Sequence, residues 1–197
     1  MAAERECARL RRGAACAALA AIVTTAIFAG SCARTKKDDS IVLKEDIYGF
    51  FLGQTKDAVF ERAKDIATIT RAPEPPLGYR GELWNFSMPL EAHHEVDYVR
   101  CAFFKGRLVE IIVYFRDTSV MNLEWLKQRL EGQFRTHAVA ENPDYEMAQK
   151  TYRLAGPGMS VTLRRITKKE RIELYIQYLH DGLHKELIEK NKEIEKR

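Results

Sequence analysis

The spacing of apolar residues changes along this chain, and each spacing predicts a different element. From Ala14 to Ala29 they run almost without a break, over about 16 residues, short of the roughly 20 that a membrane-crossing helix needs. After a polar stretch, Phe50, Phe51 and Leu52 form an apolar cluster that ends at Gly53. Thr55 then stands as the N-cap of a helix with Ala58, Val59, Ala63, Ile66 and Ala67 on one side. Pro73, Pro75, Pro76 and Gly78 interrupt. Beyond Glu82 the period becomes two, with Trp84, Phe86 and Met88 alternating with Leu83, Asn85 and Ser87 in a first strand. Val96 to Phe104 and Leu108 to Phe115 read as a hairpin around Lys105-Gly106.

The order then recurs. Asn122 is placed to cap a second helix, whose Leu123, Leu126, Leu130 and Phe134 fall at i, i+3, i+7 and i+11 on one stripe. Strands follow at Lys150 to Leu154, at Met159, Val161 and Leu163 after the turn Gly156-Pro157-Gly158, and at Ile172, Leu174, Ile176 and Tyr178. This pattern predicts an α+β fold: two tandem units, each a helix plus a three-stranded antiparallel sheet, at residues 47–117 and 120–180, packed together to bury what each alone leaves exposed. Asp181 to Arg197 reads as a charged C-terminal helix, half exposed or frayed, with sparse Leu183, Leu187 and Ile194.

The first apolar run has the flanks of an export leader. Arg5, Arg9, Arg11 and Arg12 precede it, and the small residues Ala29-Gly30-Ser31 close it before Cys32. This arrangement resembles the lipobox of bacterial lipoproteins, with Ala29 where that pattern prefers Leu. The resemblance implies a signal peptide over residues 1–31, cleavage before Cys32, acylation of its thiol and new amino terminus, and a flexible tether over residues 32–46. Ala33 in place of Asp after the cysteine matches the outer-membrane sorting default. A single membrane anchor, simple secretion and twin-arginine export through Arg11-Arg12 are the weaker alternatives.

Charge and cysteines narrow the picture. Removing the leader reduces 32 basic and 28 acidic residues to 28 and 26, a formal charge near +2. With export, that balance points away from nucleic acid. Cys7 and Cys16 leave with the leader and Cys32 is lipidated, so Cys101, inside a strand pattern, is expected to be a small buried hydrophobe without a disulfide partner.

Leu52-Gly53-Gln54-Thr55-Lys56-Asp57-Ala58-Val59, Trp84-Asn85-Phe86 and Phe104-Lys105-Gly106-Arg107-Leu108-Val109 together resemble the SmpA/OmlA, or BamE, family of small outer-membrane lipoproteins over roughly residues 48–115. That resemblance implies two helices on a three-stranded antiparallel sheet and a part in outer-membrane protein assembly. The doubled arrangement is also similar in outline to the secreted β-lactamase inhibitor proteins, whose tandem helix-and-sheet repeats form a binding surface.

Catalytic chemistry finds little support. His93, His94, Glu95 and Asp97 cluster before a strand, and His180 and His184 stand four apart at a helix start, yet neither set completes the three protein ligands of a catalytic zinc. His137 stands alone, and Glu141 and Asp144 flank Pro143 as ordinary turn residues. No nucleophile elbow, phosphate loop or Cys-x-x-Cys pair follows Cys32. No cofactor is implied. Aromatics crowd the strands, and since only one sheet face is needed for the helices, Tyr98 with Arg100 and Tyr175 with Gln177 are candidates for a face left to a partner. The basic run Arg164-Arg165-Ile166-Thr167-Lys168-Lys169 reads as a solvated hairpin turn that could meet anionic headgroups. The expectation is a non-catalytic lipoprotein of the cell envelope, held by Cys32 and facing the periplasm, more at the outer than the inner membrane, that binds or scaffolds another envelope protein. The alternatives are a small-ligand or lipid carrier and a secreted inhibitor-like protein.

Overall fold

The computed structural model describes residues 42–73, 81–89, 93–141, 149–168 and 171–195, the side chains of the last two excepted. Cys32, the leader and Asp144 lie outside them. The elements are α1 (Lys56–Ala63), β1 (Thr68–Arg71), β2 (Glu82–Ser87), β3 (Val96–Phe104), β4 (Arg107–Phe115), α2 (Val120–Phe134), β5 (Val139–Ala140), β6 (Gln149–Gly156), β7 (Met159–Lys168), β8 (Arg171–His180) and α3 (Asp181–Glu195).

Local chemistry accounts for most boundaries. Thr55 caps α1, its hydroxyl accepting from the Ala58 N–H at 3.4 Å. The helix stops at Ala63, short of Ile66 and Ala67, because the β-branched run Thr68-Ile69-Thr70 starts a strand. Ser119 caps α2, accepting from the Asn122 N–H at 3.2 Å; Asn122, the expected cap, lies inside the first turn and donates to the Asp117 carbonyl instead. Lys105 (φ 51°) and Gly106 (φ 71°) both take the left-handed conformation that a tight β3–β4 hairpin needs. Pro157 and Gly158 (φ 71°) turn β6 into β7. The chain is tied into the body before Ile47, since the Leu43 N–H donates to the Leu52 carbonyl at 2.9 Å.

The expected pair of helix-plus-three-strand units is not what forms. The strands make one eight-stranded antiparallel sheet in the order β1-β2-β3-β4-β8-β7-β6-β5, so the fold is largely β with three helices. The described residues of 48–115 hold one helix and four strands, not two helices on three strands. Two short strands, β1 and β5, were not expected, and β4 pairs directly with β8 from Glu110↔Leu179 to Tyr114↔Tyr175. The physical reason lies in the edges. β4 and β8 are nearly continuous apolar strands, and as the outer strands of separate sheets each would expose a long row of unpaired N–H and C=O groups. Pairing them puts those rows at the centre. The outer positions fall to β1 and β5, four and two residues long.

The helices sort the sheet's faces. Val59 and Ala63 of α1 and Leu123, Leu126 and Leu130 of α2 share a buried core with Phe86, Val99, Cys101, Ile111, Val113, Val161, Leu163, Leu174 and Ile176. On the opposite face, α3 is seated rather than frayed: Leu183 and Leu187 are buried with Ala102, Phe104 and Val109, over one end of the central strands.

Candidate docking face

Register places all four expected interface residues on one face, opposite the core of α1 and α2. One row across the strands reads Tyr98↔Tyr114↔Tyr175↔Arg164↔Thr151, on β3, β4, β8, β7 and β6. The adjacent row reads Thr70↔Asn85↔Arg100↔Ile112↔Gln177↔Thr162↔Arg153, from β1 to β6. None of these residues belongs to either helix-packed cluster.

The rows are built around stacked rings. Tyr98 and Tyr114 lie face to face, with centroids 4.4 Å apart and planes 15° from parallel, and Tyr175 continues the ladder 5.3 Å from Tyr114. The Arg100 guanidinium sits 5.8 Å from the Tyr98 centroid and 5.5 Å from that of Tyr114, and its Nε donates to Asn85 Oδ1 at 3.0 Å. Arg164 donates from Nη1 to the Tyr175 hydroxyl at 3.4 Å, while its Nε is buried and has no acceptor. Gln177 donates to Glu110. Burial raises the Tyr114 hydroxyl well above its ordinary value, partly opposed by Arg100, so the phenol stays neutral and presents a donor. Beside the rows, toward α3, an open groove of about 710 Å³ is lined by Arg153, Thr162, Arg164, Gln177, Leu179 and His184, among others. This arrangement offers flat aromatic area and guanidinium donors, the chemistry of an interface.

Two of these residues carried no clear signal in the sequence. Tyr114 stood among many strand aromatics. Arg164 fell in a run taken for a turn, but β7 continues to Lys168 and β8 resumes at Arg171, so Arg164 and Arg165 lie within a strand and on opposite faces. Arg165 instead reaches the Thr118 carbonyl from Nε at 2.8 Å. The period-two alternation from Met159 to Leu163, carried one residue further, places Arg164 opposite the core.

The residues weighed for metal or acid-base work disperse. His93 packs edge-on against Tyr48 at 5.3 Å, His94 is nearly fully exposed beside Glu95, and Asp97 faces Arg116 and Arg171 at 3.5 and 4.0 Å. His180 is buried, and its Nδ1 accepts from the Leu183 N–H at 3.3 Å, capping α3, whereas His184 lines the groove. His137 is fully exposed, and Glu141 pairs with Arg153 at 2.5 Å. Among the described residues no group of three or more His, Cys, Asp or Glu is placed to hold a metal ion. Cys101 is free and buried, and burial pushes its thiol well above the ordinary range.

Between α2 and the chain before α1, Ile47, Tyr48, Leu126, Leu130, Ile176 and Tyr178 line a pocket of about 70 Å³, far below the several hundred that small-molecule sites occupy. Among the described residues no helix is long and apolar enough to cross a membrane. Compared with protein-family models, curated proteins and solved structures, the chain matches none of them.

Proposed function

We propose that this chain is a non-catalytic lipoprotein of the cell envelope, anchored through Cys32 and facing the periplasm, that docks another envelope protein on the open face of its sheet. The observation that carries the docking is the row Tyr98-Tyr114-Tyr175-Arg164, beside Arg100 and Gln177, on the face opposite α1 and α2. Strands need only one face to fold, and aromatic and arginine side chains on the other are what interfaces use as anchors. The anchor is supported by the basic, apolar and small-residue sequence ending at Cys32. The BamE-like segments around Trp84 and Gly106 are in keeping with an outer-membrane setting. A carrier of small apolar ligands is supported less than docking: the 70 Å³ pocket is too small for one, and the groove of about 710 Å³, though large enough, is open at the surface and bordered by Arg153, Arg164 and His184.

Two measurements test the reading. Mass spectrometry of the amino-terminal peptide from host membranes is expected to give an acylated peptide starting at Cys32 that disappears in Cys32→Ala; an unmodified terminus elsewhere moves the secreted inhibitor-like reading ahead. For the docking, a photocrosslinker at Ile112 is expected to capture one envelope protein reproducibly. Capture equally strong from Arg71, on the opposite face, removes the case for this surface.

A further inference from the structure

Resting on that docking reading, we propose that the partner meets this face with carboxylates: it presents an extended acidic segment whose Asp or Glu side chains bind Arg164 and Arg100. The argument is one of charge left over. The acidic side chains on and around the open face already have partners within the chain. Glu141 is held by Arg153 at 2.5 Å, Glu173 by Lys168 at 2.9 Å, Asp97 by Arg116 and Arg171, and Glu110 accepts from Gln177. Arg164 and Arg100 have no carboxylate partner among the described residues; their contacts are a phenol, an amide oxygen and two aromatic rings. Even with Glu110, held by the Gln177 amide, set against them, the two guanidiniums leave the balance of charge on the face positive.

Arg164 adds a second and independent observation. Its Nε is buried with no acceptor, an arrangement that folding alone leaves uncompensated. If the side chain turns outward, a carboxylate from the groove side takes Nε and an Nη together, the two-point geometry in which guanidinium binds most strongly, and the buried nitrogen gains its acceptor. Arg164 on β7 and Arg100 on β3 are three strand spacings and one row apart, roughly 15 Å. That span fits acidic residues four or five positions apart in an extended segment laid across the strands, with its intervening residues on the rings of Tyr98, Tyr114 and Tyr175. A bilayer is a poorer match, because both guanidiniums sit at mid-strand and half-buried, not on a protruding tip.

The test uses the full chain in its host's envelope, with a photocrosslinker at Thr162, two residues from Arg164 on β7 and in the same row as Arg100. The captured peptide is expected to carry at least two carboxylates. Capture should fall at least tenfold in Arg164→Glu and in Arg100→Glu, fall less in Arg164→Gln, and be unchanged in Arg71→Glu, which alters net charge equally on the opposite face. Since the variants could lose structure, the captured segment is also synthesised and titrated against the unaltered protein, and replacing its Asp and Glu by Asn and Gln should weaken binding at least tenfold. A protein captured undiminished by both charge reversals, or a neutral peptide that binds equally well, overturns the acidic-segment proposal and leaves docking intact. Crosslinks to phospholipid alone, or to no protein from this face, overturn the docking reading itself.

Discussion

The two faces of the sheet have opposite character although the same strands supply both. On one, Ile111, Val113, Leu163 and Ile176 are closed over by α1 and α2; on the other, Tyr98, Arg100, Tyr114 and Arg164 hold one another in rows. The first face is filled, so that a Cβ added at Gly156 would meet the Phe134 ring at 2.9 Å. The second is recessed beside an open groove and leaves a buried guanidinium nitrogen unpaired. Close packing carries the stability of this fold, and among the described residues the unpaired buried side-chain nitrogen lies on the part of the second face that α3 leaves uncovered.

That division makes the helix-covered face the one where mutations unfold the protein. Leu126→Ala, which empties a fully buried position of α2, is expected to cost about 2–5 kcal/mol in urea unfolding. Gly156→Ala crowds the same face from the strand side and should cost about 1–3 kcal/mol, with the near-ultraviolet dichroism of Phe134's surroundings altered. A pH series reads the same burial. Cys101 and Tyr178 are held neutral above their ordinary values of 9.0 and 10.0, whereas the unfolded chain ionises them there. Their contribution is complete below about pH 9 and is lost as the pH rises above the unfolded values, by about 1.4 kcal/mol per unit for each group, so the urea midpoint should fall between about pH 9 and 11. The smallest effect on stability belongs to the open face: Tyr98→Ala should cost about 1 kcal/mol while reducing partner capture at least tenfold. Equal destabilisation by Leu126→Ala and Tyr98→Ala would break the comparison.

Much of the local structure was legible because it rests on neighbours in sequence. The Thr55 cap, the Lys105-Gly106 hairpin and the stripe of Leu123, Leu126 and Leu130 each involve residues within two or three turns of chain. Where reading stopped short, distant chain was the cause. β1 and β5 are too short to show a period, and they exist as strands because Ser87 to Trp84 and Tyr152 to Arg153 are there to pair with them. Tyr98, Arg100, Tyr175 and Gln177 were singled out by residue type, yet the two pairs lie more than 70 positions apart in the chain, and only the β4–β8 pairing makes them one surface. Arg164 was hidden because a basic run looks like a turn until the length of β7 is known.

The sequence by itself determined the three helices and the longer strands to within a few residues, which side of those strands is apolar, and that residues 1–32 carry the pattern of an export leader ending at a cysteine, since all of these follow from local spacing and composition. The tertiary structure decided that the two sets of strands merge into one sheet, that α3 takes the face opposite α1 and α2, and that Tyr98, Arg100, Tyr114, Arg164 and Tyr175 become neighbours. The physical reason is that backbone hydrogen-bonding groups of an apolar edge strand must find partners wherever in the chain those lie. No local pattern records which strand will supply them.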